Sequence, residues 1–149
     1  MPGVKTVIKP VRHVLYLAEF AEERAAFAYA VSTAERWAAK LTLLHVIPEP
    51  EAQFWKAYIY EVDDVDDKAK ADIDAKIRTY ADCVPAGIEF SVVHKIGRPD
   101  EEVVFFAVSA DVDLIMLSRP ASSALREVFF ANMPERIIRH ARCPVLIIP

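Results

Sequence analysis

Four histidines, two cysteines and a serine–arginine stretch are the side chains of this 149-residue chain best suited to chemistry. His45 lies inside the apolar run 41–47 and His94 inside the run 88–96. If these runs are neighbouring strands, the two imidazoles abut and a metal pair is conceivable. A protein metal site takes three or four ligands, however, and the sequence indicates no further donor. Buried or half-buried structural histidines are the plainer reading, while His13 and His140 read as surface residues. Cys83 and Cys143 share no CxxC spacing, which suits a reduced pair in a cytoplasmic protein. Cys143 precedes Pro144 and an apolar run, the setting of a small core residue.

Ser118, Arg119, Ser122, Ser123 and Arg126 could form an anion-binding loop of hydroxyls and guanidinium groups, or a solvated surface loop. Pro120 weakens the first reading, because it removes a backbone donor and fixes φ. Glu19, just after the first apolar run, could meet a ribose hydroxyl or an amine; it could equally sit near a helix N-terminus, where the dipole favours an acid. The acidic run Asp63-Asp64-Val65-Asp66-Asp67 lacks the glycine and the ligand alternation of a calcium loop and reads as a solvated helix start. No Ser/His/Asp arrangement emerges, so the sequence makes no positive case for an enzyme.

Composition narrows the classes further. The chain has only three glycines, Gly3, Gly87 and Gly97, where average usage would give about ten. Neither GxGxxG nor GxxxxGK[ST] can be written with them, which excludes the standard dinucleotide and P-loop cradles. The net charge of −4 argues against a nucleic-acid surface. With 54 % apolar residues the chain is not disordered, and no apolar run reaches the roughly 18 residues of a membrane span. The N-terminus carries no signal-peptide pattern, so the expected compartment is the cytoplasm.

These residues must be positioned by alternating elements. Apolar runs at 14–18, 41–47, 88–96, 112–117 and 145–148 have strand length. Between them, 20–40 reads as a helix with Phe20, Phe27, Val31, Ala34 and Ala38 on one face. Residues 49–61 read as a loop or short helical turn with exposed aromatics. A second helix follows with Val62, Val65, Ala69, Ile73, Ile77, Tyr80 and Val84 on one stripe, stopped by Pro85 and Gly87. Helices at 100–110 and 133–141 complete the order β-α-β-α-β-α-β-α-β. Continuous apolar strands alternating with helices imply one α/β domain over residues 1–149, built on a parallel, doubly wound open sheet. Ligands of such sheets bind beyond the carboxyl ends of the strands, where strand order reverses.

The segments VLYLAEF, AAKLTLLHVIPE, Gly97-Arg98-Pro99, ADVDLIMLSR and above all ERIIRHARCPVLIIP resemble the universal stress protein family from Val14 to Pro149. The resemblance implies a Rossmann-like sheet of five mainly parallel strands in the order 3-2-1-4-5 with about four helices. One branch of that family binds ATP through an Asp after strand 1 and a G-x2-G-x9-G-[ST] loop after strand 4; another, like universal stress protein A, does not. By resemblance the Asp falls on Glu19, the three glycines on Ser118, Ala121 and Ala131, and the final Ser/Thr on Asn132. One extra loop residue lets the first two placements shift by one, which brings Ser122 into the set. Val46 matches the residue whose backbone lies near adenine. With every glycine replaced, the expectation is the branch without ATP and no cofactor. The remodelled loop leaves ATP or AMP as the alternative ligand, with Ser118, Ser122, Ser123, Arg126 and Asn132 replacing backbone contacts.

Relatives dimerise through the last strand, and Val145, Leu146, Ile147 and Ile148 form an apolar strand that reads as an edge, which invites pairing. The expected function is a non-catalytic, cytoplasmic, homodimeric stress-response scaffold or regulator with protein partners and no nucleic acid or membrane. Phe54, Trp55, Tyr58 and Tyr60 are either a partner surface or a layer packed over the second helix.

Overall fold

The computed structural model describes residues 9–18, 24–49, 52–61, 67–118 and 132–149. Five strands run through them: β1 (His13–Ala18), β2 (Lys40–Ile47), β3 (Phe90–Ile96), β4 (Leu114–Ser118) and β5 (Val145–Ile148). Five helices accompany them among the described residues: α1 (Arg24–Trp37), α2 (Ala52–Ile59), α3 (Asp67–Ala81), α4 (Pro99–Ser109) and α5 (Met133–His140). The sheet order is β3-β2-β1-β4-β5 and every pairing is parallel.

Alternation along each strand sorts side chains between two apolar layers, as the period of two requires. Val14, Tyr16 and Ala18 of β1, with Leu41 and Leu43 of β2 and Met116 of β4, pack beneath α1 and α3. Leu15, Leu17, Leu44, Val46, Ile115 and Leu117 face the other way and meet Val103 and Ala107 of α4 and Met133 and Ile137 of α5. The sheet is therefore covered on both faces, which is why its strands read as unbroken apolar runs.

One expected stretch differs. Residues 52–59, read as a loop or short helical turn, form the two-turn helix α2, which raises the helix count from about four to five. Its stripe is short: Ala52 is buried and Trp55, Tyr58 and Ile59 are half-buried, a helical spacing too brief to stand out beside two prolines and an acidic run. The α3 stripe Ala69, Ile73, Ile77 and Tyr80 is the inward face as expected; Val84, expected on the same stripe, packs against that layer from beyond the helix end at Ala81, and Val62 and Val65 lie outside the described residues.

Helix α1 also ends earlier than its pattern suggests. Ala38 leaves the helix with φ 51°, its N–H bonding the Glu35 carbonyl at 3.2 Å while Ala39 N–H bonds the Ala34 carbonyl at 2.8 Å. This is the left-handed helix stop that glycine serves best. Ala38 is consequently exposed rather than part of the apolar face. Replacing it with glycine relieves the left-handed strain, and Ala38→Gly is expected to raise stability by about 1 kcal/mol, read as a higher urea midpoint at unchanged slope. A midpoint equal to or below that of the parent would contradict this account. Gly97, by contrast, is already suited to its place: with φ 153° a Cβ there would lie 2.9 Å from the Glu102 carboxylate at the start of α4.

Candidate functional site

The strand order reverses between β1 and β4, and sheets of this kind bind ligands in a crevice beyond the strand ends at such a point, here beyond Ala18 and Ser118. Three of the positions picked from the sequence are described there. Val46 is 5 % exposed near the end of β2, and Ser118 is 7 % exposed as the last residue of β4, in register with Ile148. Asn132 precedes α5 with φ 61° and ψ 14°, a left-handed conformation that asparagine tolerates better than most side chains. Its side chain makes no capping hydrogen bond. Glu19, Ala121, Ser122 and Ala131 lie outside the described residues, as do Arg119, Ser123 and Arg126.

The sheet does bring His45 and His94 together. Register places them as direct partners, and their Nδ1 atoms lie 3.2 Å apart, a hydrogen bond in which one ring carries the shared proton. Helix α2 covers the pair: the Trp55 ring centroid is 4.7 Å from that of His45 and 5.4 Å from that of His94. Tyr58 stacks edge-on to His94 at 5.8 Å and donates to Asp74 of α3 at 2.6 Å. Burial, reinforced by the neighbouring His94, pushes His45 down to about 3. Burial also lowers His94. For Tyr58, burial and then the Asp74 hydrogen bond push the phenol up to about 12. Among the described residues no third metal ligand joins the histidines, so the arrangement is a neutral imidazole pair inside an aromatic clamp. Trp55 and Tyr58 are thus packed over β2, β3 and α3, while Tyr60 is 71 % exposed; the side chain of Phe54 lies outside the described set.

At the opposite end of the strands, His13 is not the surface residue its position suggested. It is 9 % exposed; Nδ1 donates to the Ala110 carbonyl at 3.1 Å and Nε2 lies 2.7 Å from the Thr42 hydroxyl, itself 3.1 Å from the Ser91 hydroxyl. Because a carbonyl only accepts, Nδ1 is the donor in that contact. One signal pointed to burial: His13 immediately precedes the apolar run of β1. Beside it, Asp113 Oδ2 accepts the N–H groups of Arg12 at 2.8 Å and His13 at 3.0 Å, and Oδ1 lies 2.8 Å from Lys9 Nζ. Burial alone would raise this carboxyl, but Lys9 and the two backbone donors outweigh it and hold it below its usual range. Cys83 and Cys143 are both free thiols. Burial, with the charge of Asp113 adding to it, pushes the Cys143 thiol up, so it is not an activated nucleophile. His140 is exposed, as expected. No described helix is long and apolar enough to cross a membrane.

Comparison with known proteins agrees with this architecture. Residues 10–149 match the pattern of the universal stress protein family. Universal stress protein MJ0531 of Methanocaldococcus jannaschii is 35 % identical over 52 residues, a match spanning 35 % of this chain and 31 % of that protein. A universal stress protein solved in complex with cAMP superimposes with a TM-score of 0.66 at 17 % identity, over 94 % of this chain and 98 % of that one. The universal stress protein from Archaeoglobus fulgidus in complex with dAMP gives a TM-score of 0.63 at 16 % identity, over 95 % of this chain and 100 % of that one. The sheet order, the layering and the sequence match across nearly the whole chain lead to one conclusion: this chain belongs to the universal stress protein family.

Proposed function

We propose that this chain is a non-catalytic, cytoplasmic stress-response protein that works as a homodimeric scaffold or regulator and does not depend on ATP. The observation that carries this reading lies in the crevice. Ser118, the last residue of β4, is buried, at the position that by resemblance corresponds to the first phosphate-loop glycine. A Cβ and hydroxyl there deny a triphosphate the close backbone approach that glycine permits. Ala121 and Ala131 replace the other two glycines in the same way, and Asn132 replaces the final Ser/Thr.

The dimer would form through β5. It is an edge strand with Leu146 36 % and Ile147 42 % exposed, and an antiparallel second copy would satisfy its open backbone groups and cover its apolar side chains. Pro149 limits how far that ladder extends. Sedimentation velocity is expected to give a dimer for the parent protein and a shift to monomer for Ile147→Lys. A monomeric parent would remove the dimer from this reading.

A second reading, an adenylate-binding sensor with a remodelled loop, is favoured by one feature: Asn132 keeps at the start of α5 the left-handed backbone that glycine adopts freely in phosphate-binding loops. Relatives of the same fold were solved with cAMP and dAMP. Thermal unfolding with millimolar Mg-ATP and AMP separates the two. A ligand at 100 times its Kd stabilises by about 2.7 kcal/mol, a shift of a few degrees. The expected result is no shift with either. A shift with AMP or ATP would favour the sensor, and phosphate release from ATP above a heat-killed control would overturn the non-catalytic reading.

A further inference from the structure

At the starts of the strands, opposite the crevice, lies a cavity of about 560 Å³. Val11, Val108, Val112 and Pro144 give it apolar walls, and the half-exposed ring of Trp37 stands at its side. The charges that reach it are unequal in their commitments. Asp113 is held by two backbone N–H groups and by Lys9, and Lys9 also lies 3.9 Å from Asp111. Arg142 has no such partner: no ion pair joins it to a carboxylate among the described residues. Asp111 and Asp113 line the same cavity as Arg142, while Asp100 and Glu101 share with it the lining of an adjoining depression. Asp100 and Glu101 are engaged by Arg98 at 3.5 Å.

We propose that this cavity binds a small amphipathic organic anion, its apolar body against Val11, Val108, Val112 and Pro144 and its carboxylate or sulfonate on Arg142. The volume falls in the range of small-molecule sites, about 300–1,000 Å³, which are mostly apolar with a few placed polar groups. A guanidinium fork matches a carboxylate or sulfonate through parallel hydrogen bonds. With Lys9 committed, one cation remains for the ligand, and Asp111 and Asp113 stand close enough to repel further negative charge. The site therefore selects a monoanion and discriminates against polyanions such as nucleoside triphosphates. It lies at the other end of the strands from the positions that correspond to the family's nucleotide site, so the two do not compete.

The test uses the full chain, with its near-ultraviolet circular dichroism confirming the native fold, and 1-anilinonaphthalene-8-sulfonate as the fluorescent probe. Saturable binding is expected, displaced by dodecanoate and at least about tenfold less well by dodecanol, since a charge-assisted hydrogen bond contributes that much discrimination. Arg142→Gln should weaken the probe and dodecanoate by about tenfold and leave dodecanol unchanged. Val108→Trp, at a half-exposed wall position, should abolish all three by filling the space. Absence of saturable binding, parent-like binding by both variants, or displacement of the probe by AMP would each overturn the proposal.

Discussion

Truncating Phe27 to alanine is expected to cost about 4 kcal/mol, near the upper range for a buried aromatic. Phe27 is 1 % exposed and sits where four elements converge. Its ring centroid lies 5.4 Å from Tyr16 of β1, 4.9 Å from Tyr80 of α3 in an edge-on contact, and 6.0 Å from Phe90 of β3. Removing it forfeits the transfer energy of the ring, leaves a cavity walled by other rigid rings, and breaks three aromatic contacts at once. Set against the roughly 5–15 kcal/mol that hold a typical domain, Phe27→Ala should move the urea midpoint far to the left. Phe105→Ala on α4, where the ring is 70 % exposed, should change stability by less than about 0.5 kcal/mol. A Phe27→Ala loss below about 1 kcal/mol would mean that the surrounding rings close over the gap.

Acid should weaken the fold through His45 well before the carboxylates titrate. In the unfolded chain this imidazole takes a proton near pH 6.5; in the fold it refuses one until about pH 3. Over that interval the unfolded state binds more protons, so stability falls as pH falls, by about 1.4 kcal/mol per pH unit for this one group. The loss amounts to something on the order of 4 kcal/mol by the bottom of the window. His94 acts in the same direction. Asp113 adds to the loss only at lower pH, below its ordinary value of 3.8, because its folded form favours the anion. Urea titrations between pH 7 and pH 4 should therefore show a slope that His45→Gln largely removes. In a Trp37→Phe background, Trp55 fluorescence should report the same transition, since its ring lies against both imidazoles. An unchanged pH slope in His45→Gln would assign the acid sensitivity to other groups.

Much of the architecture was legible because long apolar runs and a helical stripe such as Ala69, Ile73, Ile77 and Tyr80 are strong periodic signals, and a covered parallel sheet needs both. The strands of β2 and β5 begin and end within one residue of expectation. What escaped the sequence was short or non-local. Helix α2 spans eight residues, and the burial of its aromatics depends on β3, whose His94 is some forty residues away. The burial of His13 depends on Thr42 and Ala110, partners 29 and 97 residues distant, and no local pattern encodes them. The contact between His45 and His94 was conditional on strand adjacency, which the register supplies: each lies four residues beyond the paired Leu41 and Phe90. Among the positions tied to the crevice, Val46 and Asn132 were identified from resemblance and Ser118 from both its side-chain type and resemblance, none from periodicity, since single residues at strand ends carry no period of their own.

The strand order has a consequence for how the molecule breathes. β1 has a parallel neighbour on each side, β2 and β4, whereas β3 and β5 have one each. Amide protons of β1 can therefore exchange with solvent only when the sheet parts at its middle, and their exchange should report the global opening. The outer strands can release their protons through smaller, local openings. β3 carries His94, half of the acid-sensitive pair, whereas β5 lies at the far edge. Mild acid should accordingly speed deuterium uptake first along β3 and its cover α2, while the β5 rim keeps its native uptake.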